Sequence, residues 1–269
     1  MDFIDLGIYI NNSPIGSIGD TLGLTYVVDE LYKTKGLKSK IVTRIPELFL
    51  NNPFVDILPI NSNVANHLTP CYNYECNIVK HYASQLGLNF SENPKPILYL
   101  NEDEINYAKN ELKEYNSIKK IAVCLNSSAK CRDLDYDYIY PLLEKLKNDG
   151  YILLLFGTIK QNDEIFDKSY IGKTSLRECI SLMNECDLYL GVDTGLFHIM
   201  AALNKPQVVF FRNCGCSNNA YSNTYFLDSE VICGAKCREP FLFECFAEKK
   251  CMNMFNINEY YKLINNLLC

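Results

Sequence analysis

Three short polar stretches carry the residue types from which a phosphate site and an acid–base site can be built. The first is Gly191-Val192-Asp193-Thr194-Gly195-Leu196-Phe197-His198. An apolar strand ends there and a helix begins within three residues, so backbone N–H groups left free at the helix start form an anion site. Thr194 and Gly195 let a phosphate approach the backbone, and His198, one turn in, can donate to a phosphate oxygen. Asp193 either holds the turn or accepts from a sugar hydroxyl. An ordinary helix cap with a hydrogen-bonded histidine fits the same octet. The second stretch, 126–135, also follows a strand. Its Ser127 and Ser128 supply hydroxyls, and Lys130 and Arg132 supply cations able to neutralise a diphosphate; a solvated loop has the same composition. The third, Gly16-Ser17-Ile18-Gly19-Asp20, has two glycines suited to a tight turn beside a ligand. Asp20 stands at a helix start, either as its N-cap or as a carboxylate base aimed into a cleft. No Gly-Lys-Ser/Thr follows, and the third glycine of a dinucleotide fingerprint is missing, which disfavours hydride transfer.

These stretches need strands and helices to hold them, and the pattern supplies both. A strand is expected over 3–10, then the loop, then a helix over 21–34 with Leu24, Val27, Val28 and Leu31 on one face and Gly36 at its end. Strands at 39–43 and 55–60 flank a short helix at 46–51. The stretch 61–75 is polar and has no clear period. A helix over 76–86, a strand at 97–100 and a helix from 101 to about 115 complete the first half. The second half alternates more cleanly: strands at 120–125, 151–156, 188–192 and 207–211, with helices over 138–148, 163–168, 175–184, 195–203 and 258–268. Such β-α alternation predicts parallel sheets with right-handed crossovers, and ligands at the carboxyl ends of the strands. The expected division is 1–116 and 117–269.

The chain has 269 residues, is 48% hydrophobic and 22% charged, and carries a net charge of -6 with both signs mixed along it. That is a globular composition and not a nucleic-acid binder's basic stripe. The first residues lack a basic export signal, and no apolar run reaches the length of a membrane span. The expectation is a soluble, cytoplasmic protein without a transmembrane segment, free to touch the inner membrane peripherally. Of 13 cysteines, Cys124, Cys179 and Cys186 sit among apolar residues as small hydrophobes. Cys233, Cys237, Cys245 and Cys251 crowd one segment, 233–251. Four thiols so close can form a tetrahedral structural site for zinc or iron, or stay reduced and unligated; the first gap is wider than a tight C-x2-C.

The runs Ile171-Gly172-Lys173-Thr174-Ser175-Leu176-Arg177-Glu178, Asp193-Thr194-Gly195-Leu196-Phe197-His198-Ile199-Met200-Ala201-Ala202-Leu203 and Lys205-Pro206-Gln207-Val208-Val209-Phe210-Phe211 resemble, in order and spacing, glycosyltransferase family 9, the ADP-heptose heptosyltransferases. Ser17-Ile18-Gly19-Asp20 is similar to that family's S-x-G-D opening, and Asn52-Pro53-Phe54-Val55-Asp56 to its N-P-x-(I/V)-D. The resemblance implies an α/β GT-B fold: two Rossmann-like parallel-sheet domains facing across a cleft, the first (1–116, shortened) on the acceptor side and the second (117–269) binding the nucleotide-sugar. It implies inverting transfer of a sugar, heptose foremost, from an ADP-sugar to a glycan, lipid-linked lipopolysaccharide-type or protein acceptor, with no cofactor required for chemistry and no nucleic-acid partner. Asp20 would be the base; Ser17, Gly19, Ser127, Ser128, Lys130 or Arg132, Asp193, Thr194, Gly195 and His198 would bind substrate. Some protein-modifying members resemble this chain in carrying an iron-binding cysteine cluster. A non-catalytic sugar-nucleotide-binding homologue is the alternative. The sequence departs from the family at Lys130-Cys131-Arg132-Asp133-Leu134, where a lysine–aromatic–proline signature is usual, in a shortened stretch around 61–76, and in having no tryptophan.

Overall fold

A computed structural model of the protein describes residues 2–10, 13–14, 16–70, 77–88, 94–211, 220–227, 252 and 255–269. The first sheet is built from β1 (Phe3–Ile10), β2 (Ser13–Pro14), β3 (Lys38–Val42), β4 (Val55–Ile57) and β5 (Asn66–Leu68). Strands run β5-β1-β3-β4, all parallel, with β2 turning back antiparallel on the tip of β1. Helices α1 (Ile18–Lys35), α2 (Ile78–Gln85) and α3 (Glu102–Glu111) follow in this half. The second sheet contains β6 (Lys120–Cys124), β7 (Ile152–Leu155), β8 (Lys168–Ser169), β9 (Leu188–Val192), β10 (Gln207–Phe210) and β11 (Thr224–Tyr225). Its order is β8-β7-β6-β9-β10-β11, parallel throughout, the doubly wound arrangement. Helices α4 (Tyr136–Asn148), α5 (Leu176–Asn184), α6 (Gly195–Ala202) and α7 (Ile257–Leu268) connect or flank these strands.

Alternation along the strands decides which helix lies where. In β6, Ile121 and Val123 point into a core with Leu142 and Leu146 of α4 and Tyr260 and Ile264 of α7. Ala122 and Cys124 point the other way, into a core shared with Ile180 of α5 and Phe197 of α6. That second core does not stop at the sheet. It runs on through Leu22, Val27, Val28 and Leu31 of α1 to Leu6 and Ile41 of the first sheet. The opposite face of the first sheet carries Phe3, Asp5, Lys40, Asp56 and His67; Phe3, Asp56 and His67 are exposed and the other two half-buried. Lys40 lies over the Phe3 ring, and Tyr9 stacks on His67 at 4.3 Å. The connection from β4 to β5 spans only 58–65, too short for the helix that usually covers this side.

Most expected elements are present, with shifted ends. Helix α1 starts at Ile18, capped by Ser17 and closed by Gly36, so Asp20 is its third residue and not its N-cap. The stretch 97–100 is no strand: its groups are taken by α1, with Ile97 N–H donating to Thr25 Oγ1 at 2.9 Å and the Tyr99 hydroxyl to Asp29 Oδ2. No helix forms at 163–168, because Asp167 N–H donates instead to Leu153 O in β7 at 2.9 Å. Strand β5 was hidden in the polar stretch because only Leu68 of its three residues is buried. Asn52 is buried, donating to Asp29 Oδ1 at 2.9 Å and accepting from Phe54 N–H, so its tetrapeptide ties a turn to α1. The buried thiols of Cys124 and Cys179 are pushed up by burial to about 11 and about 12, as inert apolar groups would be. Among the described residues no helix is long and apolar enough to cross a membrane.

A second seam joins the halves where α3 packs on α5. Arg177 of α5 makes a two-pronged pair with Glu104 of α3, Nε to Oε1 at 2.5 Å and Nη2 to Oε2 at 2.7 Å, and donates to Tyr99 O and Glu47 O. Both side chains are largely buried, 11% and 17% exposed. Burial raises the Glu104 carboxyl, but Arg177 and the Asn101 amide outweigh it and leave the group below its ordinary value. A carboxylate depressed by folding stabilises the protein above its unfolded value and loses that contribution as pH falls through its folded one. Glu104→Gln should therefore cost about 3 kcal/mol at neutral pH by stranding the guanidinium. In thermal melts at pH 7 and stepwise into acid, the gap between wild type and variant should shrink below pH 4; a gap unchanged with pH would refute the assignment.

Candidate functional site

In the second sheet the switch in winding direction falls between β6 and β9. The chain leaves β6 toward β7 and leaves β9 toward β10, on opposite sides, so their exit loops part at the carboxyl ends. These loops, 125–135 and 193–194, fall in two of the three polar stretches. In the first sheet β1 has β3 on one side and β5 on the other, and the third stretch leaves its carboxyl end. Folding brings all three together, because the N-terminal turns of α1 and α6 meet across the seam.

Two glycines permit that meeting. A Cβ on Gly195 would lie 2.7 Å from Cβ of Ile18, and one on Gly19 would lie 2.7 Å from Cδ2 and 2.9 Å from Nε2 of His198. All three distances are shorter than a Cβ atom keeps from its neighbours, so each position admits no side chain without displacing its neighbour. Thr194 caps α6, its Oγ1 accepting from Leu196 N–H at 3.0 Å. Thr194, Gly195 and Leu196 are half-buried, while Asp193 and His198 are buried.

Loop 125–135 is held by its own groups. Leu134 N–H donates to Leu125 O, Ser127 N–H to Asp133 Oδ1 at 2.7 Å, and Ala129 N–H to Ser127 Oγ at 3.2 Å. Ser127 is thus buried and occupied in shaping the loop, whereas Ser128 is exposed. The two cations stand differently. Arg132 Nη1 donates to Asp193 O at 3.0 Å and lies 3.4 Å from Asp193 Oδ2, bridging the two exit loops and balancing a buried carboxylate. Lys130 is exposed and, among the described residues, its side chain carries no hydrogen bond or ion pair.

Asp20 is half-buried in the first turn of α1, where the helix dipole favours a negative charge. Burial pushes its carboxyl up; Ser17 and Arg132 pull it back, and Asp193 pushes it up again. The carboxylate of the first half therefore feels one charged group from each exit loop of the second half, Arg132 and Asp193. His198 is held down to about 4, chiefly by burial, with Asp193 opposing and Arg132 adding to the effect. It is a neutral imidazole at physiological pH. Its Nδ1 lies 2.7 Å from the Tyr221 hydroxyl, and its Nε2 lies 3.8 Å from Asp193 Oδ1. Sequence reasoning missed Tyr221, Ile18 and Asp133. Asp133 sits inside the loop that was singled out, but nothing in the spacing of Ala220-Tyr221-Ser222 announces a partner for a histidine 23 residues earlier.

The arrangement offers a helix start with half-buried backbone donors, one unpartnered lysine and a carboxylate across the seam. It is suited to hold an anionic leaving group on one side and to accept a proton on the other. The four clustered cysteines, Cys233, Cys237, Cys245 and Cys251, lie outside the described residues; among the described ones no group of three or more His, Cys, Asp or Glu could hold a metal ion.

Comparison with known proteins bears on the fold and the family. The lipopolysaccharide heptosyltransferase 2 of Escherichia coli K12 is 24% identical over 136 residues, 44% of this chain, and the aligned part spans only 39% of that relative. Two solved structures superpose over the whole chain: a family 9 glycosyl transferase from Veillonella parvula (TM-score 0.77, 14% identity, 98% of that chain) and the E. coli ADP-heptose lps heptosyltransferase II (TM-score 0.73, 14% identity, 98% of that chain). At these identities the likeness establishes the fold, which is GT-B. A sequence model of the family matches residues 73–218, a span that takes in loop 125–135 and the α6 turn but not Asp20. With more than half of its length matched, this chain belongs to glycosyltransferase family 9 (heptosyltransferase).

Proposed function

We propose that the protein transfers a sugar, heptose in the first instance, from an ADP-sugar to the hydroxyl of a glycan, lipopolysaccharide-type or protein acceptor, with inversion. The observation that carries this reading is Asp20 standing across the seam from the α6 turn, within the electrostatic reach of Arg132 and Asp193. On this reading residues 1–116 take the acceptor and 117–269 the donor. Ser17 and Gly19 shape the turn beside the acceptor, and Asp20 removes the proton from its hydroxyl. The oxygen attacks the anomeric carbon, and the bond from that carbon to the diphosphate oxygen breaks on the opposite face. The departing diphosphate is met by the backbone donors at Thr194 and Gly195, by Ser128 and by Lys130, while His198 donates from one turn further in. Arg132 holds the Asp193 turn in place. Because the α6 helix start and Lys130 supply positive charge at the diphosphate, the step asks for no added divalent ion. A cytoplasmic setting, where ADP-sugars are made, fits this use.

Asp20→Asn should abolish transfer, a loss of at least about 10²-fold in kcat, while ADP-heptose still raises the melting temperature, as any ligand bound to the native state does. In wild type, the ionised carboxylate is the active form. Activity should therefore fall on acidification through a value above that of an ordinary aspartate. Undiminished turnover by Asp20→Asn would remove the base; donor binding without transfer by wild type, across glycan and protein acceptors, would make the chain a binding module instead.

The two cations should separate in a titration calorimeter. Lys130→Met is expected to weaken ADP binding about tenfold or more, the worth of a charge-assisted hydrogen bond, with little change in melting temperature. Arg132→Met should lower the melting temperature as well, since it strands the buried Asp193 carboxylate. Equal affinity in Lys130→Met and wild type would rule out a role for Lys130 in holding the diphosphate.

A further inference from the structure

Tyr221 is buried, and its hydroxyl has one partner among the described residues, Nδ1 of His198 at 2.7 Å. A buried O–H with no acceptor is costly, so the phenol proton points at that nitrogen. Nδ1 must then present its lone pair, which leaves the single proton of the neutral ring on Nε2. The other end of the ring agrees. Asp193 Oδ1 lies 3.8 Å from Nε2, an acceptor that tolerates an N–H and repels a lone pair. Asp193 is itself fixed by Arg132. Burial keeps the phenol well above its ordinary value, so it stays a donor across the working pH range.

We infer that Tyr221 is a positioning residue that holds His198 as its Nε2–H tautomer and aims that N–H at the seam between α1 and α6. The Nε2 atom lies against Gly19, the residue before Asp20. The polar and charged groups that act on the ring are Tyr221, Asp193 and Arg132, while Asp20, in the first turn of α1, acts on Tyr221. With the opposite tautomer a lone pair would face the incoming diphosphate and repel it. The use made of the N–H rests on the transferase reading above; the tautomer does not.

The test is a long-range proton–nitrogen spectrum of protein labelled with 15N-histidine, which distinguishes a protonated ring nitrogen from an unprotonated one without any turnover. The chain has three histidines, and His198 is assigned by its loss in His198→Gln or, should that variant not fold, by elimination with His67→Gln and His81→Gln. The expected wild-type signature is a protonated Nε2 and an unprotonated, hydrogen-bonded Nδ1, steady from pH 6 to 8. In Tyr221→Phe the Nδ1 resonance should move to that of a nitrogen with no donor, and kcat should fall roughly tenfold with smaller change in donor KM. A proton on Nδ1 in wild type would overturn the inference, as would an Nδ1 resonance indifferent to Tyr221→Phe. A wild-type protein that shows the expected spectrum but never transfers sugar would leave the tautomer standing and sink the transferase reading alone.

Discussion

Everything at the seam depends on how closely two helix starts can approach. Both α1 and α6 present the positive ends of their dipoles to the same small volume, an arrangement that is unfavourable on its own. Two features make it tolerable. Gly19 and Gly195 remove the side chains that would hold the helices apart. Asp20 in the first turn of one helix, and Asp193 just before the other, bring negative charge to the point where the two ends add. The residual field is that of several backbone donors converging on one place, with Arg132 already spent on Asp193 and Lys130 left over. A doubly charged phosphate group answers such a field better than any neutral ligand.

Much of this could be read from the chain. The β9–α6 turn was legible because an unbroken apolar strand, a Thr cap and a Gly fall within a few residues, and each has a local cause. Loop 125–135 was legible as polar, yet the division of labour within it was not. Ser127 and Arg132 look like ligand groups in sequence, and the fold also uses them to shape the loop and the Asp193 turn; for Arg132 that partner lies 61 residues away. Asp20 was placed correctly at a helix start and given the wrong position in it, since Ser17 and Asp20 are both good caps and the helix chose the earlier one. The stretch at 97–100 has strand-like residues but gives its hydrogen bonds to α1 side chains. Tyr221 had no signal, because what makes it important is the tertiary placement of a histidine.

His198 and Asp20 illustrate how one environment pushes two groups toward useful states. Burial favours the neutral form of each, so the imidazole becomes a donor without charge and the carboxylate a stronger base than one in water. Neither effect needs a special motif. It follows from closing the seam over the polar turns.

The side of the first sheet that no helix covers among the described residues has a consequence for motion. With charged residues and solvent on one face, β1 and β3 can bury apolar side chains only toward α1, and that core continues without a break into α5 and α6. The smaller half thus borrows much of its hydrophobic interior from the larger. Any opening that pulled the sheets apart would wet that shared layer, so the two halves should rock by small amounts about a greased contact and lose structure together, rather than swing as independent rigid lobes.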